Sequence, residues 1–367
     1  MLYYKNQGHF FMEYDFFVIF FLMIAKVNAY LFFSYLRMIC TNLPPADIAY
    51  QDFFSILITD KKQKGDTMHI TGTFLDEISW DIPHQNWGEK EWDADFASMK
   101  AIGIDTVIMI RSGLRRFMTY PSKVLTDRKG CYMPPVDLVE LYLRLAEKYG
   151  MTFYFGTYDG NNWHPETVKD EIAICCDAAS EAFDRYGKYP AFGGWYLSTE
   201  ISRKSAVSVE NYSKLGKHCK DISGNLPVLI SPFIGGIKAN PNDPISYEQH
   251  EKEWSEILAA IQGSVDIVAF QDGHCEYDEL AEYLRINKRL MTKYGMESWT
   301  NCETFDRDMP IHFLPIKWEK MLLKLEAARE AGMTKAITFE FSHFMSPNSC
   351  YRSAGNLYNR YREHFNI

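Results

Sequence analysis

Residues 195–200, Trp195-Tyr196-Leu197-Ser198-Thr199-Glu200, form a strand-like run that closes on a carboxylate, and residues 298–303, Ser298-Trp299-Thr300-Asn301-Cys302-Glu303, do the same. They are the fourth and seventh of eight such runs. From His69 onward, strand-length apolar segments alternate with segments of helical period. Strands are expected at 70–75, 106–111, 152–157, 194–199, 227–231, 266–271, 298–302 and 336–341, and helices at 93–102, 136–149, 165–186, 209–222, 247–261, 277–294, 317–331 and 357–365. Gly150 and Gly332 stand where two of the helices must stop. Neither GxGxxG nor GxxxxGK occurs, which disfavours a doubly wound nucleotide-binding sheet. The α/β class with a closed (β/α)8 TIM barrel over residues 68–367, preceded by a short hydrophobic extension over 1–67, is the predicted architecture.

In such a barrel all strands end at one mouth, and residues two apart on a strand share a face. Tyr196, Ser198 and Glu200 then point inward while Trp195, Leu197 and Thr199 face the helices. On the seventh strand Asn301 shares the face of Glu303, and Trp299 is either a core plug or a pocket wall. Strands ~4.8 Å apart and tilted ~36° give a Cα radius of about 7.5 Å, a chord of about 14 Å between strands four and seven, and about 6 Å between two inward carboxyls. Paired carboxylates at that spacing suit cleavage of a glycosidic bond with retention; inversion, which needs about 6.5–9.5 Å, stays open. Glu200, in partly apolar surroundings that raise its pKa, is expected to protonate the departing oxygen while ionised Glu303 attacks the anomeric carbon. The bland alternative for each glutamate is a surface carboxylate that caps the following helix or pairs with an arginine.

The length of 367 residues accommodates one large domain and an appendage, and the net charge of −9 argues against nucleic-acid partners. No cofactor motif or metal-ligand spacing is found, so neither a cofactor nor a metal is predicted. Seven of the eight cysteines, Cys131, Cys175, Cys176, Cys219, Cys275, Cys302 and Cys350, fall in the barrel, and an odd number there favours a reducing, cytoplasmic location. Residues 1–67 differ from the rest: Phe16 to Ala25 is wholly apolar, Lys26 and Asn28 interrupt, and Leu31 to Phe33 resumes. That run is too short to span a bilayer but suits a signal-peptide core, with Val27-Asn28-Ala29 as a loose cleavage site, although Glu13 and Asp15 oppose this. Export or membrane association would run through this segment alone. The competing reading takes Met68, directly before the first strand and after the polar stretch Lys61 to Asp66, as the biological start. Oligomeric state has no signal in the sequence.

Asp76 and Glu77 after strand one, Arg111 on strand two, Tyr158 and Asp159 after strand three, and Tyr196 on strand four are candidate substrate contacts. Gln271, Asp272 and His274 after strand six, Trp299 and Asn301 on strand seven, and Glu340 on strand eight join them on the same rim. Arg111 bonds a substrate hydroxyl, holds Glu303 ionised, or forms a buried pair with Asp76 or Glu340. Asp159-Gly160 and Asp272-Gly273 are also turn dipeptides, and His274 reads as a loop histidine. Glu340, flanked by Phe339 and Phe341, needs a partner or a function and is the reserve catalytic candidate. Trp80, Trp87, Trp92 and Trp163 are expected in loops after strands one and three, where indoles stack on sugar rings or seal the barrel top. The segment 113–135 carries Arg115, Arg116, Lys123, Arg128 and Lys129 with Tyr120 and Tyr132, which reads as a solvated lid or as a contact for an acidic or sulfated glycan.

Gly72-Thr73-Phe74-Leu75-Asp76-Glu77, Gly103-Ile104-Asp105-Thr106-Val107-Ile108, Gly193-Gly194-Trp195-Tyr196 with Glu200, and Thr338-Phe339-Glu340-Phe341 resemble an uncharacterised bacterial family regarded as TIM-barrel and glycoside-hydrolase-like. The resemblance covers about Met68 to Phe365 and implies the fold, and a carbohydrate substrate, more firmly than a reaction. Glu200 and Glu303 also resemble the acid/base on strand four and the nucleophile on strand seven of a large clan of retaining glycosidases. Thr199 departs from that clan, which usually has Asn there to bond the sugar 2-hydroxyl. Two rival functions remain. A metal-dependent barrel hydrolase or isomerase would use Asp76, Asp159, Asp272, His274 and Glu340 as ligands, but the first strand lacks a His-x-His pair. A non-catalytic carbohydrate-binding barrel would keep the aromatic rim without turnover.

Overall fold

Backbone hydrogen bonding closes one sheet on itself. The computed structural model describes residues 67–307 and 313–367. In chain order the elements are β1 (Ile70–Leu75), α1 (Glu89–Ala101), β2 (Thr106–Met109), α2 (Lys123–Lys129), α3 (Leu138–Tyr149), β3 (Thr152–Gly156), α4 (Val168–Tyr186), β4 (Phe192–Leu197) and α5 (Ala206–Ile222). They continue as β5 (Val228–Ile230), α6 (Tyr247–Ile261), β6 (Ile267–Gln271), α7 (Tyr277–Tyr294), β7 (Glu297–Asn301), α8 (Trp318–Glu330), β8 (Lys335–Thr338), α9 (Phe341–Phe344) and α10 (Arg352–Phe365). Each strand pairs in parallel with the next, and β1 closes on β8 with Thr73 opposite Thr338. The chain is therefore the TIM barrel that its sequence predicts. The expectations for an anchor, export signal or alternative start fall on 1–66, outside the described residues. Among the described residues no helix is long and apolar enough to cross a membrane.

Alternation along the strands sorts side chains into two cores. Phe74, Ile108, Tyr154, Tyr196, Leu229, Ile267, Ala269, Trp299 and Ile337 fill the barrel interior. Their neighbours face outward: Trp195 packs on Phe192 and Phe155, with centroids at 5.1 and 5.7 Å, and its indole N–H reaches Ser223 Oγ at 3.0 Å. Each large apolar side chain so buried contributes roughly 1.5–3 kcal/mol. Trp299 resolves as the core plug, against Tyr154 at 6.2 Å, and not as a pocket wall. Helix boundaries follow local chemistry. Asp137 caps α3 by accepting from Glu140 N–H, and Gly150 ends it in the left-handed region at φ 62°.

Three expectations need correction. Strand four starts and stops two residues earlier than read, so that Ser198 to Glu200 step off its end. Strand eight ends at Thr338, and Phe341 opens α9 because Glu340 caps it, accepting from His343 N–H. The 113–135 segment is not a solvated lid. Residues 113–114 pair with 117–118 and with 158–159 as a small three-stranded cap. Met118 within it and Tyr120, Leu125 and Cys131 beyond it are buried, and Ser122 caps α2. Hydrophobic anchoring outweighs the polarity that suggested a lid.

Candidate active site

The strand ends enclose a cavity of about 360 Å³, and both Glu200 and Glu303 line it. Glu303 is fully buried and receives a two-pronged ion pair from Arg307, Nε to Oε2 at 3.1 Å and Nη2 to Oε1 at 3.0 Å. Its backbone is clamped as well. The Glu303 N–H donates to Asp272 Oδ1 (3.1 Å), and buried Lys324 of α8 donates both to that oxygen (2.7 Å) and to the Glu303 carbonyl (3.0 Å). Gly273 supplies the room, since a methyl there would overlap Glu303 Oε2. Burial alone would raise the pKa of Glu303, but the charges and hydrogen bonds of Arg307, aided by Lys324, outweigh it and hold the carboxyl below its ordinary value.

Glu200 has the opposite balance. Its Oε1 accepts from Tyr196 Oη at 3.4 Å and lies 3.8 Å from Arg111 Nη2, a loose pair against the tight one on Glu303. Burial between the cavity walls raises its pKa, Arg111 opposes only in part, and the negative charge of Glu303 adds to the rise. Arg111 is fixed by Ser79 Oγ (3.0 Å) and lies 3.6 Å from Asp159. Its partners are thus Asp159 and Glu200, in place of the expected Asp76, Glu340 or Glu303. Asn301 donates to Ser231 Oγ (3.1 Å) and Gln271 to the Ser231 carbonyl (2.8 Å), while Asn301 Oδ1 has no partner among the described residues. His274 lies 4.9 Å from the Phe233 ring, and its Nδ1 has no partner among the described residues. Burial, with the nearby Arg307 charge, lowers it to about 4, so it meets a ligand as neutral imidazole. These groups can bond hydroxyls of either polarity.

Of the expected substrate contacts, Arg111, Asp159, Gln271, His274 and Asn301 are in the wall, and seven others are not. Asp76 accepts from the N–H groups of Ile78 and Ser79 at 2.9 Å and shapes the turn after β1. Glu77 accepts from Gln85 N–H, and burial pushes it up to about 7. Tyr158 donates to the Arg115 carbonyl (2.6 Å), Tyr196 sits beneath Glu200, Asp272 secures the Glu303 backbone and Trp299 plugs the interior. Glu340, the reserve candidate, is fully buried and bonds His343 through both backbone N–H (2.7 Å) and ring. A carboxylate committed to a cap and an imidazole inside the protein cannot meet a substrate.

Trp80 is 78% exposed and lines the cavity. Trp92 lies inside α1, fully buried, and Trp87 packs edge-on against it at 5.0 Å, so neither is a rim platform. Trp163 is part-buried and donates to Asp159 at 2.9 Å. Thr199 turns to α5, its Oγ accepting from Asn211 (2.9 Å) and its carbonyl from Tyr212 (2.6 Å). Arg307, Lys324, Gly273 and Ser231 were not anticipated. Arg307 had a faint signal, a cation four residues beyond Glu303; Lys324, Gly273 and Ser231 owe their part to packing that residue types do not reveal. Among the described residues no group of three or more His, Cys, Asp or Glu side chains is arranged to hold a metal.

Fold and cavity together define a (β/α)8 protein with two glutamates of opposed acidity at one mouth. The chain belongs to the family described as "Domain of unknown function (DUF4434)", whose model matches residues 70–351, in agreement with the resemblance read from its motifs. The chain is 59% identical to a Bacteroides thetaiotaomicron protein whose crystal structure is described as that of "a putative alpha-L-fucosidase". The match covers 84% of this chain and 98% of that one, with a TM-score of 0.80. An endo-1,4-beta-D-mannanase of Thermotoga petrophila aligns at 12% identity and TM-score 0.53, over 74% and 88% of the two chains. A beta-galactosidase of Halorubrum lacusprofundi aligns at 12% and 0.52, over 81% and 58%. These last two likenesses are of fold. No curated protein matches the sequence.

Proposed function

We propose that this chain is a glycoside hydrolase that acts with retention of anomeric configuration, Glu200 serving as acid/base and Glu303 as nucleophile. The observation that carries the reading is the opposed acidity of two carboxyls lining one cavity. Such a split supports Glu200 as the proton donor and Glu303 as the ionised partner. In the first step the Glu303 carboxylate attacks the anomeric carbon as the Glu200 proton passes to the departing oxygen. Esterified Glu303 then carries no charge, which removes the repulsion that keeps Glu200 protonated. Glu200 becomes more acidic, accepts a proton from water attacking the same carbon, and Glu303 is released. Asn301, Gln271 and His274 supply hydroxyl contacts in place of the asparagine that the retaining clan this chain resembles usually has where Thr199 stands here. A reducing, cytoplasmic setting for residues 68–367 is supported by the seven unpaired cysteines of the described chain.

The test is incubation with aryl glycosides and oligosaccharides, with α-L-fucosides included because of the relative's description, and identification of the first-formed anomer by NMR. A mechanism-based 2-deoxy-2-fluoro glycoside is expected to label Glu303. Release of the inverted anomer would sink retention. No turnover, together with undiminished glycan affinity in a Glu200→Gln, Glu303→Gln double variant, would identify a carbohydrate-binding barrel instead.

A further inference from the structure

Three arginines reach the cavity, and two of them are neutralised there. Arg307 is spent on Glu303 at 3.0 Å, and Arg111 lies between Asp159 at 3.6 Å and Glu200 at 3.8 Å. Arg115 differs: among the described residues no carboxylate comes within ion-pair distance of its guanidinium. With the Asn161 amide oxygen turned toward it, Arg115 donates from Nε at 3.1 Å and from Nη2 at 2.7 Å, which orients the guanidinium and leaves its charge intact. The remaining donors on Nη1 and Nη2 have no partner among the described residues.

The backbone shows that this placement is built. Arg115 is the turn of the three-stranded cap and adopts a left-handed φ of 54°, a region that residues with a Cβ occupy when their surroundings over-determine it. Those surroundings are the Asp159 carbonyl, which accepts from Arg115 N–H at 2.9 Å, and the Tyr158 hydroxyl and Cys131 thiol, which donate to its carbonyl at 2.6 and 3.4 Å. The other basic residues of the segment are engaged elsewhere. Lys123, Arg128 and Lys129 pair with Asp127, Asp177 and Glu171, and Arg116 lies over the Tyr132 ring at 4.5 Å.

We infer that Arg115 is a specificity residue that binds an anionic substituent, a carboxylate or a sulfate, carried by the glycan. The inference rests on the glycosidase reading above. A planar fork of N–H donors matches two oxygens of either group, and charge-assisted bonds of this kind are the strong ones. Asp81, on the β1 loop, is also in the wall and makes no ion pair among the described residues, so it repels an anion on its own side. The substituent therefore belongs beside β2 and β3. Trp80 offers an apolar face for a sugar ring at the same mouth.

The experiment compares matched neutral, uronate-bearing and sulfated glycosides with the parent protein and with Arg115→Gln, Arg115→Lys and Asn161→Ala variants of unchanged melting temperature. The parent is expected to favour an anionic member by about tenfold or more in kcat/KM, and Arg115→Gln to abolish that preference through KM with neutral substrates unaffected. Partial recovery with Arg115→Lys and a smaller loss with Asn161→Ala complete the pattern. Which anion is preferred distinguishes carboxylate from sulfate. A parent without preference, or an Arg115→Gln variant that weakens neutral and anionic substrates alike, overturns the inference and leaves the glycosidase reading standing. Where nothing is cleaved, calorimetric binding of the same oligosaccharides decides: a preference for the anionic member that Arg115→Gln removes supports the assignment, and equal or absent affinity overturns it.

Discussion

Glu303 and Glu340 both follow barrel strands, both are buried, and each has a cationic partner, Arg307 for the first and His343 for the second. Their surroundings set them apart. Glu303 and Arg307 both line the cavity, so the pair can be approached by a ligand. Glu340 faces inward between β1, β8 and α1, where His343 Nε2 bonds the Pro83 carbonyl at 2.7 Å and Asp95 accepts from Ser342 and Ser346. Burial alone would lower His343, yet the facing Glu340 carboxylate pushes it up to about 9. The comparison teaches that a carboxylate at a strand end becomes reactive or structural according to what its partners leave open, and the residue type is the same in both cases.

That contrast is broken most directly at the proposed catalytic pair, Glu200 and Glu303. Glu303→Gln is expected to lose roughly 10⁴-fold or more in kcat and Glu200→Gln about 10²–10⁴-fold, measured on the best substrate of the panel with folding checked by circular dichroism. Because Glu303 titrates below its ordinary value and Glu200 above, the parent's activity should rise through the former and fall through the latter. The alkaline limb should vanish in Glu200→Gln. Loss of activity in Glu340→Gln on the same scale would contradict the division drawn here.

Gly273→Ala tests position alone. The added methyl displaces the Glu303 carboxyl without changing any charge, and a shift of about 1 Å in such a group costs on the order of 10²-fold. An unchanged kcat would mean that Glu303 need not sit where it does. Arg307→Met should cost about tenfold in kcat and move the acid limb to higher pH, since the charge that holds Glu303 ionised is gone.

At the structural cluster the expected effect is on stability, with kcat of the folded fraction near that of the parent. Glu340→Gln leaves His343 without its counter-charge and should cost roughly 3 kcal/mol, seen as a melting temperature lower by several degrees. The pH dependence has a definite sign. His343, raised from 6.5 to about 9, binds its proton more tightly folded than unfolded, so its contribution is complete below 6.5 and disappears as pH climbs through 9. Glu77 and Asp95, both raised by burial to about 7, also hold protons more tightly when folded and cost stability as pH rises from about 4 to 7. His250 and His274, both lowered to about 4, bind protons less tightly when folded and gain stability from pH 4 to 6.5, which offsets that cost. Melting temperature should therefore fall chiefly between pH 7 and 9, and in Glu340→Gln that fall should shrink. A melting temperature flat between pH 7 and 9 would be evidence against a charged His343.

Periodicity made the barrel legible: β1, α6 and α7 occupy the very residues read from the apolar pattern, because strand and helix periods are unmistakable over such runs. The two glutamates were legible for the same reason, as the ends of countable strands. What could not be read was partnership. Asp272 and Glu340 looked like rim residues because every strand-end carboxylate does, and only packing reveals that Lys324 and His343 claim them. Arg307 and Gly273 escaped for the complementary reason, since a loop arginine and a turn glycine carry no periodic signal. Trp92 was placed in a loop because the helix was read from Asp93, four residues after α1 starts at the acidic turn Glu89 to Glu91.

The seam between β1 and β8 also governs when the mouth of the barrel can come into existence. Thr73 bonds the carbonyl of Thr338, 265 residues away, and Ile70 N–H bonds Tyr361 Oη, 291 residues away. Contacts of such sequence separation form late, after the loop entropy of nearly the whole chain has been overcome. A nascent chain that has already displayed Glu200 and Glu303 therefore remains an unsealed curl, with strand edges bare, until residues 335–361 emerge and the hoop is fastened.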